Sequence, residues 1–294
     1  MPVFDTPEPI AATIDLNLGK VRIVASERTD TVVDVRPADS SDPRDVATAE
    51  RARIAYEDGE LRVSAPAALG VPRGGGAVHI DIALPVGSRL HASALAADIH
   101  CRGRVGECRL TTDCGHIHLD ETGPLHLRSV LGNVSVERAF GDIEAFAECG
   151  DVRIRVVDGS AQINRTTGDT RIGEATGRVH VYADRGDLYI GRAHGAVEAR
   201  ASQGDIRIDE TVLGPLVLET ASGRLEVGIA AGVAARLDLN SHVGTVYRSL
   251  NFLDGLKTAP GDEESDDAVQ VHAYTIIGDI VVRQASFDCE EGWP

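Results

Sequence analysis

The stretch GDVRIRVVDGSAQINRTTGDTRIGEATGRVHVYADRGDLYIGRAHGAVEARASQGDIRI, residues 150–208, repeats one short pattern. After each glycine of a Gly-Asp pair, the second and fourth positions are usually apolar and the first and third are usually polar. This alternation is typical of a β-strand with one buried face, and Thr170 is its clearest exception. The Gly-Asp pairs begin at Gly150, Gly168, Gly186 and Gly204.

Glycines at nearly nine-residue spacing continue on both sides of this stretch, from Gly106 to Gly232. Every second glycine starts a related strand, as in GDIEA from Gly141, GSAQI from Gly159 and GRVHV from Gly177, so the repeating unit has eighteen residues and two strands. The strands are short, punctuated by glycine and rich in β-branched residues, which argues against helices. The sequence predicts an all-β fold, a two-sided β-solenoid with about 18 residues per coil and coils stacked about 4.8 Å apart.

Strand-like segments flank the repeats and suggest four regions. We expect a β-strand capping region at 1–90, the solenoid repeats at 91–250, an acidic loop at 251–270, and a C-terminal strand and tail at 271–294. Because the open end of a solenoid exposes unpaired strand edges, strands from both termini are predicted to cap it.

The composition limits the classes of partner. The net charge is −17, from 46 acidic against 29 basic residues, so we expect neither nucleic acid nor an anionic membrane to bind. The N-terminal residues lack the basic start and apolar run of a secretory signal, which predicts a cytoplasmic protein. No cofactor motif is present, and Cys101 and Cys108 fall on inward positions, where a thiol is a small core residue rather than a nucleophile.

The chain resembles a bacterial β-strand-repeat family labelled "putative adhesin", a domain of unknown function common in actinobacteria. The resemblance covers residues 10 to 284 and implies a β-solenoid, and it carries over no catalytic residues. It rests on three features: the serial G-D-[VILT]-x-I units, the closing IIGDIVVR from Ile276, and A-x-x-G or T-x-x-G turns at Thr112, Ala147, Ala183, Ala201 and Thr220.

One polar column follows the glycines. Stacked carboxylates about 4.8 Å apart repel one another, so something must compensate, and a parallel arginine column two positions on is placed for diagonal ion pairs. Turn formation by Gly-Asp explains the column most simply, and divalent cation binding between neighbouring carboxylates is the alternative. The two columns are Asp151, Asp169, Asp187 and Asp205, and Arg153, Arg171 and Arg207, with Tyr189 interrupting the second.

A histidine cluster marks the first coils. If Ala97 occupies a glycine position, His100 and His118 share one outward column, and Asp98 and His116 share the next. Imidazoles and a carboxylate suit zinc or another transition metal, whereas exposed histidines without strict ligand spacing are often only solvated.

The sequence favours a non-catalytic scaffold that binds a protein partner or self-assembles, because repeats create extended surfaces and no catalytic motif is present. Two alternatives stay open. A carbohydrate-active enzyme could use paired carboxylates, although the chain has few aromatic residues to stack sugars, and a cell-surface adhesin would need export.

Overall fold

A computed structural model describes residues 1–65, 75–249 and 268–285 of the chain. The chain divides into two compact units, Met1–Asp158 and Gly159–Pro294. Most of the predicted acidic loop, residues 251–267, and the predicted tail from residue 286 lie outside the described residues.

The first unit contains thirteen described strands and one helix. The N-terminal elements are β1 (Val3–Asp5), β2 (Ala11–Ser26), β3 (Asp30–Pro37), α1 (Pro43–Arg51), β4 (Arg53–Glu57), β5 (Glu60–Ala65) and β6 (Val78–Pro85). The remaining strands are β7 (Arg89–Arg104), β8 (Cys108–Cys114), β9 (Ile117–Thr122), β10 (Leu125–Leu131), β11 (Val134–Ala139), β12 (Ile143–Cys149) and β13 (Val152–Val157).

Coils of this unit stack in parallel. The long strands β2 and β7 pair in parallel. Each also pairs with two shorter strands in succession, β2 with β5 and β6, and β7 with β8 and β9. From β8 onward each coil has two strands, and like strands pair in parallel one coil apart, as Leu125 of β10 does with Ile143 of β12. Gly19 aligns with Ala97, which confirms the glycine-equivalent position inferred from the sequence.

Antiparallel strands lie at the N-terminal side of this unit. Strands β5 and β6 pair with β2, whereas β4 runs antiparallel to β5, and β3 and β1 continue antiparallel from β6. These antiparallel strands lie within residues 1–90, and the capping role of this region stays a prediction.

Helix α1 was not predicted. Asp42 is its N-cap and accepts a hydrogen bond from the Arg44 amide at 2.8 Å, and Pro43 occupies the first turn. The buried Asp45 carboxylate accepts from the amides of Asp39 and Ala77, at 2.9 and 2.8 Å, and so ties the helix to neighbouring backbone.

Among the described residues, no helix is long and apolar enough to cross a bilayer.

The second unit contains twelve described strands. These are β14 (Ala161–Thr167), β15 (Thr170–Ala175), β16 (Val179–Arg185), β17 (Leu188–Ala193), β18 (Val197–Gln203), β19 (Ile206–Thr211), β20 (Leu216–Ser222), β21 (Leu225–Ile229), β22 (Ala235–Val243), β23 (Val246–Ser249), β24 (Val269–Ile277) and β25 (Ile280–Gln284).

Sequence order and spatial order differ at the end of this unit. Strand β24 pairs with β20 on one side and β22 on the other, and β25 lies in the same way between β21 and β23. The C-terminal strands therefore form the penultimate coil. The coil made by β22 and β23 is outermost among the described strands.

The core consists of the inward apolar positions, which confirms the two-sided β-solenoid. Ile190 and Ile208 are fully buried on neighbouring coils, as the alternation predicts. Thr170 also points inward and is 0% exposed, so the exception in the pattern lies in the core and not on the surface.

Glycine is required where the coils turn. At Gly186, φ is +119° and a Cβ atom would lie 1.7 Å from the carbonyl oxygen of Gly168 in the preceding coil. Both the backbone conformation and the close approach exclude a larger residue.

Candidate functional site

The aspartate column is a hydrogen-bonded ladder along the turns. In the second unit, Asp169 Oδ1 accepts from the Asp187 amide and Asp187 Oδ1 accepts from the Asp205 amide, each at 2.9 Å. Asp205 Oδ1 accepts in turn from the Arg224 amide at 2.7 Å. Each carboxylate thus satisfies a backbone donor of the next coil at the point where a turn separates two strands.

The first unit contains an equivalent ladder built with other acceptors. Asp98 Oδ1 accepts from the His116 amide at 2.9 Å, and His116 Nδ1 accepts from the Asn133 amide at 3.1 Å. Asn133 Oδ1 accepts from the Asp151 amide at 3.0 Å. Because an imidazole and a carboxamide can replace the carboxylate, the position requires a hydrogen-bond acceptor and not a negative charge.

This geometry bears on the cation hypothesis. One carboxylate oxygen of Asp187 and one of Asp205 are already used by a backbone amide, so a cation at these two residues would take the second oxygen of each. Calcium binding along the column stays a prediction. A thermal melt with and without millimolar calcium is its direct test.

The arginine column takes partners mainly within its own strands. Arg207 Nε lies 2.7 Å from Asp209 Oδ1, and Arg153 NH2 lies 3.5 Å from Asp151 Oδ2. The Arg171 side chain is exposed. In the described part of the chain, Arg153 therefore pairs with the aspartate column through Asp151, whereas Arg207 pairs with Asp209 and not with the diagonal partner that we expected.

Asp209 is the centre of a polar network on one outer face of the second unit. The Tyr189 hydroxyl donates to Asp209 Oδ2 at 2.6 Å, and Arg283 NH2 lies 3.0 Å from Asp209 Oδ1. Arg283 also bonds Glu226 through Nε at 2.9 Å. Burial, followed by the bond to Asp209, raises the pKa of Tyr189 to about 12, so its hydroxyl stays a donor at neutral pH.

The opposite outer face of the second unit carries what we call the tyrosine–arginine patch: His180, Tyr182, Glu198, Arg200, Glu219 and Tyr274. Arg200 is held by three neighbours, at 3.1 Å from a carboxylate oxygen of Glu198, 3.1 Å from one of Glu219 and 3.2 Å from the Tyr182 hydroxyl.

Aromatic rings of the patch face outward. The His180 and Tyr182 ring centroids are 4.7 Å apart, and the Arg200 guanidinium lies 5.7 Å from the Tyr182 centroid. Tyr182 is 39% and Tyr274 45% exposed, and Tyr274 aligns with Glu219 across neighbouring strands. Tyrosine and arginine are enriched at protein interfaces, and here two ion pairs and the hydrogen bond to the Tyr182 hydroxyl hold the Arg200 side chain in place.

The predicted histidine cluster forms two separate pairs. His100 and His118 share a column, with ring centroids 6.1 Å apart, and His118 Nε2 lies 3.3 Å from Asp120 Oδ1. Asp98 and His116 belong to the ladder. Across residues 1–65, 75–249 and 268–285, no three His, Cys, Asp or Glu side chains are grouped as metal ligands. The metal site stays a prediction that this geometry does not strengthen.

Two of the cysteines are core residues. Burial raises the pKa of the Cys108 thiol to about 11, and it raises that of Cys101 further. Both therefore stay protonated at neutral pH, as the inward positions predict. Cys114 and Cys149 are exposed.

Comparison with known proteins identifies the family. The model of the Toastrack DUF4097 family matches residues 12–283. The chain belongs to this family. No curated protein matched it.

Solved structures similar to this Toastrack chain have names that refer to adhesion. One is a putative cell adhesion protein from Clostridium sporogenes, with 12% identity, a TM-score of 0.22, and coverage of 96% of this chain and 98% of that one. Another is a putative adhesin from Bacteroides fragilis, with 16% identity, a TM-score of 0.30, and coverage of 96% of each chain.

Sequence reasoning missed the parts of this Toastrack chain that depend on distant strands. Arg283 reaches Asp209 only because β25 inserts beside β21, and no spacing in the sequence indicates this insertion. The tyrosine–arginine patch did carry a signal, because Tyr182 and Arg200 are 18 residues apart and thus one coil apart.

Proposed function

We propose that the chain is a non-catalytic scaffold that binds a protein partner or self-assembles. The observation that supports partner binding is the tyrosine–arginine patch. Its exposed aromatic rings lie on a sheet face beside Arg200, which makes two ion pairs and a hydrogen bond. Side chains held in this way lose little conformational entropy when a partner binds.

The ladder supports the non-catalytic part of the proposal. The carboxylates of Asp169, Asp187 and Asp205 have a structural role, since each accepts a hydrogen bond from a backbone amide of the next coil. The buried thiols are poor nucleophiles because their pKa values are raised. Screening the purified protein against a panel of glycans tests the enzyme alternative, and turnover of any of them would overturn this part.

Quantitative affinity enrichment tests partner binding. Immobilised wild-type protein and the variant Tyr182→Ala/Tyr274→Ala are exposed to a lysate of the source organism, and the bound proteins are quantified by mass spectrometry. Arg171→Ala, an exposed change at the aspartate-ladder edge, is the matched control. We expect one protein to be recovered with the wild type and the control, and to be depleted about tenfold or more with the patch variant. Equal recovery with all three baits would refute the role of the patch.

A further inference from the structure

The end coil formed by β22 and β23 differs from every coil inside the second unit. Each of these two strands pairs on one side only, and no described strand lies on the other side. Its inward residues Leu237, Leu239 and Val246 are half-buried, whereas their neighbours in the penultimate coil are almost fully buried. Within residues 1–65, 75–249 and 268–285, no strand covers the outer backbone groups of the end coil, and its inward apolar side chains are only half-buried.

Exposed apolar side chains gather at the same end. Apart from Tyr274 of the tyrosine–arginine patch, large hydrophobic residues that are exposed by 41% to 58% include four within the last two coils: Val243, Tyr247, Ile276 and Ile277. Val243 and Ile277 are aligned neighbours across β22 and β24. A cluster of this kind beside an unpaired strand edge is typical of an interaction site.

The charges of β22 indicate which occupant fits. Arg236 and Asp238 are exposed, point to the same side of the strand, and are two residues apart. If β22 pairs antiparallel with a second β22 about a two-fold axis at Leu237, Arg236 of each copy lies opposite Asp238 of the other. Residues opposite each other in an antiparallel pair have Cβ atoms about 5 Å apart, which is within ion-pair reach.

The N-terminal side of the first unit does not offer a similar edge. Its outer strands are β1, with three residues, and β4, with five, and helix α1 packs beside β3. Short edge strands are a common protection against pairing with another chain. The described edge strands of the first unit are therefore poor sites for pairing with another chain.

We propose that a second copy of this chain binds the β22 edge, giving a two-fold dimer in which β22 pairs antiparallel with itself. This inference develops the self-assembly branch of the proposed function and does not depend on the tyrosine–arginine patch.

Charge reversal across the two-fold axis tests the dimer. Sedimentation of the full chain from about 1 to 300 µM should approach a limiting mass of twice the 31.1 kDa chain. Arg236→Asp and Asp238→Arg each place like charges opposite one another and should weaken self-association about tenfold or more. An equimolar mixture of these two variants restores both ion pairs and should form a heterodimer. Both sites are exposed, so the fold is retained.

The controls separate this proposal from the patch. Arg171→Asp makes the same charge change away from the end coil and should leave the dimer intact, as should Tyr182→Ala. A wild-type chain that stays monomeric to the highest concentration would overturn the proposal. So would a dimer that neither reversal weakens, or a mass that grows without limit as the concentration rises.

Discussion

Replacing Asp187 by Asn and by Ala separates the hydrogen bond of the ladder from its charge. Both variants remove the same negative charge, but only Asn keeps an acceptor for the Asp205 amide, which Asp187 Oδ1 contacts at 2.9 Å. A hydrogen bond to an otherwise unpaired amide at a partly exposed site contributes about 1 kcal/mol. We therefore expect the Asn variant to be more stable than the Ala variant by about 1 kcal/mol.

The charge contribution appears in the comparison with the wild type. Two carboxylates about 4.8 Å apart repel by about 0.9 kcal/mol in water, and screening at physiological ionic strength reduces this to about 0.5 kcal/mol. Asp187 has such a neighbour on each side, in Asp169 and Asp205. The stability of the Asn variant relative to the wild type should thus rise as the salt concentration is lowered, whereas the difference between Asn and Ala should stay constant.

Urea and thermal unfolding followed by circular dichroism measure both differences. A change of 1 kcal/mol corresponds to a midpoint shift of about 2 to 4 °C for a unit of this size. The matched control is Asp184→Asn against Asp184→Ala, because the Asp184 carboxylate is exposed and makes no hydrogen bond with the described residues. Equal stability of the Asn and Ala variants at position 187 would refute the ladder as a source of stability.

Three further results are expected. Gly186→Ala should lower the free energy of unfolding by several kcal/mol or abolish folding of the second unit, because the new Cβ would meet backbone. Gly232→Ala, where φ is +80° and the space around the Cβ is open, should lower it by about 1 kcal/mol in the same denaturation assay. Thr170→Val should stabilise by about 1 kcal/mol in urea unfolding, since the buried Thr170 Oγ1 has no hydrogen-bond partner among the described residues. In thiol labelling analysed by mass spectrometry, Cys114 should react rapidly and Cys108 only on unfolding. Because burial raises the pKa of Cys108, its contribution to the free energy of unfolding should be complete below about pH 9 and should be lost as the pH rises towards about 11.

The repeat could be predicted because one physical constraint recurs in every coil. A turn that brings backbone close to the coil below strongly favours glycine, with Ala97 as an exception, and alternation after each glycine assigns the buried face. The placement of Ala97 at a glycine position and the shared column of His100 and His118 followed from this spacing alone. Family membership of the chain agrees with that architecture.

Elements outside the repeat could not be predicted in the same way. Helix α1 does have a local signal in Asp42-Pro43, a capping residue followed by proline at the first helical position, but the strands on both sides of it obscured this signal. The insertion of β24 and β25 beneath the end coil has no local signal. Nothing in the spacing distinguishes a strand added at the end of the stack from one inserted before it.

The ladder changes which residues are informative about function. A side chain that recurs in every coil and accepts a backbone hydrogen bond is explained by the fold, as the replacement of Asp by His116 and Asn133 shows. Outward residues that occur in only one or two coils have no such explanation, because the strand pairing does not need them. Tyr182 and Arg200 on one face, and Arg236 with Asp238 at the end coil, are residues of this kind. Mutagenesis aimed at function should therefore begin with outward residues that do not recur from coil to coil, because the Gly-Asp turns have a structural role.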